Sequence, residues 1–343
     1  MNELLPWQSP QWRRFLAMAE SDRLPHALLL AGPRGIGLAE FAAAITARLH
    51  CSQPPGEGIA CGTCRSCVLL AAGYHPDLFR AEPEEPGAPV KVEKVRDLID
   101  FIQLSSQYGR YKIAWIHPAD AMNRNAANGL LKTLEEPPGR CLLILISHQP
   151  SRLPITLRSR CQRLEFHSCR DAAAVEWLVR RLPDPARDAA EILEMAGGAP
   201  LLALELADPE RLAHHDALLA DLLRLRRAPA LDPAQLAEKW LALGAAETLE
   251  TLSSYLAAAA RLKLEGERPE GGKSNVHKYL QQLADELDLF ELVACYDRVA
   301  KNRQRATGPF NLNAQGLLEE VIVHWQTTLN STGGGISERT RRP

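Results

Sequence analysis

Short apolar runs alternate with helical patterns through the first half of the chain. The runs at 28–30, Lys112–Ile116 and Cys141–Ser147 are apolar almost throughout, which is typical of strands buried on both faces. Residues 75–79 are interpreted as a further short strand. Between the strands, apolar residues recur at helical spacing, most clearly over 92–104. This alternation predicts an α/β fold, in which helices cover both faces of a parallel sheet.

The second half of the chain shows only helical patterns. Three short helices are predicted over 171–182, 189–196 and from residue 199 onward. Longer helices rich in Leu and Ala are predicted over 212–225, 233–246, 248–264, 277–299 and 312–329. The last segment is polar and rich in glycine, and we expect it to be disordered. The pattern divides the chain into an α/β part at 1–167, three short helices at 168–208, a helical part at 209–330 and a disordered tail at 331–343.

A glycine-rich loop connects the first predicted strand to a helix over 39–49. A strand, a glycine-rich turn and a helix N-terminus form the scaffold that wraps backbone N–H groups around nucleotide phosphates. The glycines of the loop are Gly32, Gly35 and Gly37. The motif also needs a lysine followed by a serine or threonine, but Leu38 and Ala39 stand at those positions. The segment is therefore either a phosphate-binding loop that has lost its chemistry or simply a glycine-rich turn.

The strand at Lys112–Ile116 lacks the acidic residues that follow such a strand in a P-loop ATPase. In those enzymes an Asp binds Mg²⁺ and a Glu orients the attacking water. Here His117 and Pro118 follow the strand, and Asp120 comes three residues too late. His117 is a conceivable catalytic base, but a lone histidine at the end of a strand is more often structural.

Four of the eight cysteines fall in one short window with the spacing C-x9-C-x2-C-x2-C. They are Cys51, Cys61, Cys64 and Cys67. Two-residue spacings let neighbouring thiolates converge on one tetrahedral ion, and four thiolates with no open position describe a structural zinc site. Unrelated free thiols or a redox pair are the alternatives. We expect the scattered cysteines to be buried as small hydrophobic residues; they are Cys141, Cys161, Cys169 and Cys295.

The composition is that of an ordinary globular protein, with 46% hydrophobic and 24% charged residues. A net charge of −2 gives no field that by itself attracts nucleic acid or an anionic membrane, so any DNA contact is expected to be local or to come from partners. The first residues lack the basic start and apolar core of a signal peptide. No apolar run approaches the roughly 18 residues that span a bilayer, and we expect a cytoplasmic protein.

Three motifs together resemble the clamp-loader subunits of bacterial DNA polymerase III, which are AAA+ proteins. They are the run N-G-L-L-K-T-L-E-E-P-P at 128–138, the run L-R-S-R-C at 157–161, and the cysteine module after the glycine-rich loop. The resemblance implies a RecA-like AAA+ domain at 1–167 with the zinc module inserted at about 51–67, a three-helix lid at 168–208 and an all-helical collar at 209–330.

Within that family, the sequence resembles a subunit that does not hydrolyse ATP rather than the gamma/tau motor subunits. The motor subunits keep the Lys and the Ser/Thr that Leu38 and Ala39 replace, and the acidic pair that His117 and Pro118 replace. Their lid also carries an arginine near the position of Leu201, which is apolar here. The resemblance therefore implies that this chain is a component of the DNA polymerase III holoenzyme and has no ATPase activity of its own.

The triplet Ser159-Arg160-Cys161 carries the functional role that the resemblance implies. A guanidinium is permanently charged and forked, so it can stabilise the charge that develops on a γ-phosphate held by a neighbouring subunit. The resemblance implies that Arg160 is such an arginine finger, acting in trans. The alternative is that Arg160 pairs locally, and Arg158 and Arg163 are nearby competitors for the role.

The implied partners are the gamma/tau ATPase subunits and the delta subunit, with the sliding clamp contacted indirectly and primed DNA reached through the complex. Zinc would be a structural cofactor, and ATP is not expected to be hydrolysed by this chain. Two further functions are weighed against this one. An active ATPase with a non-standard site requires tight Mg-ATP binding by the isolated chain, and a zinc-dependent DNA-binding module requires salt-sensitive DNA affinity without partners.

Overall fold

The chain falls into two compact units, residues 1–177 and 178–343. A computed structural model describes residues 4–21, 24–84, 88–108, 110–184, 188–227, 231–265, 275–306 and 312–332. No helix in these ranges is both long enough and apolar enough to cross a membrane. The finer division of the second half, into a lid and a collar at 208, stays a prediction.

A five-stranded parallel sheet forms the centre of the first unit, and it confirms the predicted α/β class. The strands are β1 (Ala27–Ala31), β2 (Leu78–Ala81), β3 (Lys112–Ile116), β4 (Cys141–Ser147) and β5 (Gln162–Glu165). Their order is β2-β3-β4-β1-β5, and every neighbouring pair is parallel. The carboxyl ends of all strands therefore lie along one edge, where ligands of such sheets bind. The glycine-rich loop leaves the sheet at this edge, from its central region.

Helices cover both faces of the sheet because successive side chains of each strand point to opposite faces. The helices of this unit are α1 (Ser9–Glu20), α2 (Leu38–His50), α3 (Arg65–Ala71), α4 (Val92–Gln103), α5 (Arg124–Glu135) and α6 (Ile155–Arg158). In β1, Leu28 and Leu30 face the apolar layer that α1 and α2 complete. Leu29 faces the opposite layer, to which α4 and α5 contribute. Continuous apolar strands are thus what a sheet covered on both faces requires.

Several elements of this unit differ from the sequence prediction, among them a strand, a helix and the start of another strand. Strand β5 was not predicted. It lies at the edge of the sheet and only its Leu164 is buried, so its sequence has no apolar pattern. Helix α1 was also missed, although Trp12, Phe15 and Leu16 have helical spacing and pack into the core. The strand predicted over 75–79 begins only at Leu78.

Asp77, which the prediction placed in that strand, lies before it. Its buried carboxylate binds residues of the segment that precedes β3. Its side chain pairs with Lys112, with an Nζ–Oδ1 distance of 3.1 Å. It also accepts hydrogen bonds from the Ser106 hydroxyl and from the backbone N–H groups of Gln107 and Tyr108. Burial by itself raises the pKa of Asp77, but these hydrogen bonds outweigh burial and lower the pKa to about 2.

Replacing Asp77 with Asn is expected to lower the free energy of unfolding by about 3–5 kcal/mol, because Lys112 is left buried without a counter-charge. The folded pKa of Asp77 lies below its unfolded value. Its stabilising effect is therefore complete above an unfolded pKa of about 3.9 and is lost as the pH falls toward the folded value. Urea unfolding at pH 7 and at pH 3 measures both effects.

The matched control is Glu84→Gln, which removes an exposed ion pair with Lys91 and is expected to leave the stability nearly unchanged. The difference between wild type and Asp77→Asn should shrink as the pH falls. A loss no larger than that of the control, or a loss that stays constant with pH, would contradict the role assigned to Asp77.

The described part of the second unit is helical. After α7 (Ala172–Val179), where the two units adjoin in sequence, come α8 (Ala189–Met195), α9 (Pro200–Leu206), α10 (Pro209–Arg227), α11 (Pro233–Trp240), α12 (Ala245–Glu265), α13 (Asn275–Glu286), α14 (Leu289–Ala306) and α15 (Ala314–Thr332). Helix α12 packs against α13, α14 and α15, and α11 packs against α15. Helices that pack against several others in this way form a helical bundle.

Three boundaries in this unit correct the prediction. The helix predicted over 277–299 is broken between Glu286 and Leu289. There the Glu291 N–H donates to Asp288 Oδ1 at 2.8 Å and the Asp288 N–H donates to Glu291 Oε2 at 2.7 Å, which is a capping box. The helix predicted over 233–246 ends at Trp240, before Gly244 with φ 85°. Helix α15 runs two residues into the predicted tail, and 333–343 lie outside the described residues.

Candidate functional site

The glycine-rich loop has the backbone of a tight strand-to-helix turn. Gly35 and Gly37 have φ values of 77° and 91°, in the left-handed region that favours glycine. Gly32 packs so closely on the chain after β5 that a Cβ atom there would lie 2.7 Å from the Phe166 carbonyl oxygen. The Gly32 N–H donates to the carbonyl of Ser147 at the end of β4. Each glycine thus has a conformational or packing reason to be present.

The side chains at the two positions that lack the expected chemistry face the protein. Leu38 is only 2% exposed and, with Ile36, belongs to the apolar layer under α2. Ala39 is half-buried. An aliphatic side chain in this place offers no charge, no hydrogen-bond donor and no metal ligand. The loop therefore keeps the scaffold of a phosphate-binding loop without the side chains that act on phosphate.

The N-terminal segment lies directly against this loop, which the sequence pattern did not predict. The indole N–H of Trp7 donates to the Ile36 carbonyl at 2.9 Å. The Gln8 side-chain amide donates to the Gly37 carbonyl at 2.6 Å, and Gln8 is itself buried. A Cβ atom on Gly37 would collide with Leu5. These contacts tie the N-terminal segment to the backbone of the loop.

The polar residues at the ends of β3 and β4 are engaged with each other. The Asp120 carboxylate accepts a hydrogen bond from the backbone N–H of His148 at 2.9 Å. The imidazole of His148 lies 3.3 Å from the Gly32 carbonyl oxygen and 5.7 Å, ring to ring, from His117. Burial, together with the nearby His148, lowers the pKa of His117. Asp120 thus has a structural partner at this edge of the sheet.

The four clustered cysteines converge as the spacing predicted. The Sγ atoms of Cys51, Cys61, Cys64 and Cys67 all lie within 4.8 Å of one another. The Cys61 and Cys67 sulfur atoms are 3.9 Å apart. Four thiolates at about 2.3 Å from a tetrahedral zinc ion are separated by about 3.8 Å, so the arrangement needs little adjustment to hold one ion. Four sulfur ligands would complete a tetrahedral coordination shell and leave no position open, which fits a structural zinc site.

Backbone N–H groups already point at these sulfur atoms. The Cys61 N–H donates to Cys51 Sγ at 3.2 Å, and the Cys64 N–H donates to Cys61 Sγ at 3.3 Å. Hydrogen bonds from the backbone at Thr63 and Cys64 lower the pKa of Cys61, which favours the thiolate form that binds metal. Burial raises the pKa of Cys67, so this thiol would depend on the ion itself to stay deprotonated.

The cysteine module is tied to the helices that cover the sheet. The indole N–H of Trp12 on α1 donates to the Glu57 carbonyl at 2.7 Å. The guanidinium of Arg48 on α2 donates to the Gly58 carbonyl at 2.8 Å. Ile59 is buried in the same apolar layer as α1 and α2. Folding of the module is therefore coupled to the packing of α1 and α2.

Arg160 lies in the turn between α6 and β5, where its side chain is held by two contacts. Its Nη1 donates to the Thr156 carbonyl at 2.9 Å, and its Nη2 lies 2.6 Å from Glu135 Oε1 at the end of α5. The side chain is still 36% exposed. Arg160 thus lies at the surface, as an arginine finger must. It also pairs locally, which is the alternative to that role. Sequence reasoning missed Glu135 as a partner, although it belongs to the 128–138 motif.

The residues beside Arg160 shape the turn. The Ser159 hydroxyl donates to the Thr156 carbonyl at 3.1 Å. Burial raises the pKa of Cys161 to about 12, so this half-buried thiol is not a reactive thiolate at neutral pH. The competing Arg163 pairs with Glu165 on β5, with an Nε–Oε1 distance of 3.0 Å. The Ser159 side chain thus stabilises the turn, and the functional assignment of Ser159 and Cys161 stays a prediction.

The described structure is that of a parallel α/β protein with a glycine-rich strand-to-helix loop that lacks the lysine and hydroxyl of a P-loop, and with four cysteines close enough together to hold one metal ion. A family model described as DNA polymerase III, delta subunit, matches residues 7–170. A DNA polymerase III subunit delta′ of Pseudomonas aeruginosa is 38% identical over 326 residues, which cover 95% of this chain and 98% of that protein. The same subunit of Yersinia pestis is 34% identical over 335 residues, 96% of each chain.

The chain therefore belongs to the family of DNA polymerase III delta′ subunits. A DNA polymerase III subunit tau of Escherichia coli is also similar, at 36% identity over 145 residues, but these cover only 42% of this chain and 22% of tau. The similarity to this tau subunit is thus confined to one part of the chain, whereas the similarity to the delta′ subunits of Pseudomonas aeruginosa and Yersinia pestis extends along nearly all of it.

Proposed function

We propose that this chain is a non-hydrolysing subunit of the DNA polymerase III clamp loader. It supplies Arg160 as an arginine finger to the ATP held by a neighbouring gamma/tau-type subunit, and it helps to load the sliding clamp onto primed DNA. The observation that carries the proposal is the loop that keeps its glycines while buried Leu38 stands where a phosphate-binding lysine is needed.

The absence of hydrolysis follows from several features of the same sheet edge. Leu38 and Ala39 cannot replace the lysine and the Mg²⁺-binding hydroxyl of a P-loop. Asp120 accepts a hydrogen bond from His148 and comes too late in the chain for the acidic pair. Trp7 and Gln8 fasten the loop from outside. A single substitution in the loop would therefore not restore the site.

Arg160 is suited to act on a ligand held by another subunit. A guanidinium carries five N–H donors, and the contacts to Thr156 and Glu135 use Nη1 and Nη2 once each. The remaining donors are left for a phosphate, to which arginine binds in forked geometry. In a closed interface such a charge stabilises the transition state of phosphoryl transfer without a reaction at this chain's own loop.

The remaining assignments follow from the family. We propose that the first unit is an AAA+ module, that zinc in the cysteine module is structural, and that the helical part at 209–330 forms a collar with the partner subunits. The partners would be the gamma/tau ATPase subunits and the delta subunit. Contact with the clamp would be indirect, and primed DNA would be reached through the complex.

A stand-alone DNA-binding module is the weaker candidate. Phosphate binding needs several positive charges aligned on one surface. In the basic run at 298–305, Arg298 and Arg305 both pair with Glu320, at 2.8 Å and 2.6 Å. Both arginines are therefore engaged with one carboxylate within the chain, which offsets part of their positive charge. This agrees with the near-neutral net charge of the chain.

The isolated chain is expected to release no phosphate from Mg-ATP above the uncatalysed rate. The reason is that neither a lysine nor a metal ligand is present at the loop. A phosphate-release assay with an isolated motor subunit as the positive control measures this. Turnover by the isolated chain, or tight Mg-ATP binding that Leu38→Ala abolishes, would instead support an active ATPase with a non-standard site.

A further inference from the structure

Glu135 is the last residue of α5, and it contacts Arg160 on a different segment of the chain, 25 residues further on. The Nη2–Oε1 distance of 2.6 Å is that of a short, charge-assisted hydrogen bond. Both side chains remain accessible, at 36% for Arg160 and 53% for Glu135. The pair therefore lies at the surface, where a neighbouring subunit can reach the guanidinium without displacing buried structure.

Helix stability does not account for a carboxylate at this position. The C-terminus of a helix carries a partial negative charge, so cations are favoured there and anions are not. Helix α5 nevertheless ends in Glu135 and is followed by Glu136. For Glu135 the ion pair with Arg160 supplies the missing favourable interaction. The position of this carboxylate is thus explained by its contact and not by its helix.

The two contacts of Arg160 come from different directions. The Thr156 carbonyl, which belongs to α6, accepts from Nη1, and the Glu135 carboxylate accepts from Nη2. A long, flexible side chain held at both terminal nitrogens loses its rotational freedom before any ligand arrives. The donors not used by these contacts keep a fixed direction, which is the condition for efficient stabilisation of a transition state.

We propose that Glu135 is a positioning residue, which holds the Arg160 guanidinium in the orientation that meets the γ-phosphate of the neighbouring subunit. This inference rests on the proposed role of Arg160 in trans. Glu135 contacts neither the nucleotide nor the reacting atoms. Its effect is therefore on the rate of the chemical step and not on ATP binding, which the neighbour's own loop controls.

The test uses the complete clamp loader, reconstituted from motor subunits, the delta subunit and this chain, with the clamp and primed DNA present. Glu135→Gln is expected to lower kcat for ATP about threefold to tenfold, with little change in KM, because an exposed ion pair orients the guanidinium but does not replace it. Glu135→Asp should recover part of the loss. Glu136→Gln, one residue further along the same exposed turn, is the matched control and should behave as wild type.

A double-mutant cycle distinguishes positioning from a structural effect. In the Arg160→Ala background, Glu135→Gln should have no further effect on kcat. An equal loss in both backgrounds, an unchanged kcat, or a faster rate in Glu135→Gln overturns the positioning role. If Arg160→Ala itself leaves the rate unchanged, the proposed function fails. If Arg160→Ala slows the assembly and Glu135→Gln does not, only the role of Glu135 fails.

Discussion

Replacing Arg160 with Ala is expected to slow ATP hydrolysis by the assembled clamp loader at least about tenfold, since supplying an arginine finger accelerates related P-loop enzymes by several orders of magnitude. The side chain is partly exposed and its two contacts are at the surface, so the fold should be retained. Steady-state phosphate release, with clamp and primed DNA present, measures the effect.

Arg163→Ala is the matched control for this prediction. Arg163 lies three residues away on β5, is similarly exposed and also pairs with a glutamate, Glu165. Its removal should leave the rate of hydrolysis close to that of wild type. Equal losses for Arg160→Ala and Arg163→Ala would mean that the effect comes from general surface charge. A wild-type rate for Arg160→Ala in an assembly of normal composition would remove the finger assignment.

Replacing Cys67 with Ser is expected to abolish zinc binding and to lower Tm by about 10 °C. A structural zinc ion contributes directly to folding free energy, and a few kcal/mol correspond to several degrees for a domain of this size. The effect should reach beyond the module, because Trp12 and Arg48 hydrogen-bond to its loop from α1 and α2. Metal analysis of the purified chain and thermal unfolding measure the two parts of the prediction.

Cys169→Ser provides the comparison for the zinc prediction. Cys169 is half-buried in the same unit but lies outside the cluster of four sulfur atoms. This variant should keep its zinc and unfold close to the wild-type temperature. Wild-type chain purified without bound zinc, or Cys67→Ser that retains it, would show that the converging thiols serve another purpose.

The parts of the fold that could be predicted are those whose pattern is local and strongly apolar. Strands such as β4 are buried on both faces, so their sequence is apolar almost throughout and the pattern is unambiguous. Strand β5 was missed because an edge strand needs only Leu164 for the core. The break before α14 had a local signal, Asp288 followed three residues later by Glu291, but the apolar spacing continued through it and outweighed the capping box.

The features of the candidate site likewise fall into those that a local sequence pattern predicts and those that depend on contacts between distant segments. The cysteine cluster was predictable because its four ligands lie within one short window and the spacing alone brings them together. The absence of the lysine and the hydroxyl of a P-loop was readable at Leu38 and Ala39, since the motif fixes which residue types belong there. The contact between Glu135 and Arg160 depends on how α5 and α6 pack. The contacts of Trp7 and Gln8 with the loop likewise join segments that are far apart in sequence, and no local pattern encodes such pairs.

The most direct test of the central claim is a titration of this chain into motor and delta subunits while phosphate release is measured. The wild-type chain, inert by itself, is expected to raise hydrolysis until the complex is saturated. Arg160→Ala should enter the complex equally well, as judged by gel filtration, and should raise hydrolysis at least about tenfold less. Equal stimulation by both chains, or hydrolysis by this chain alone, would contradict the claim that it acts by supplying Arg160 to its neighbour.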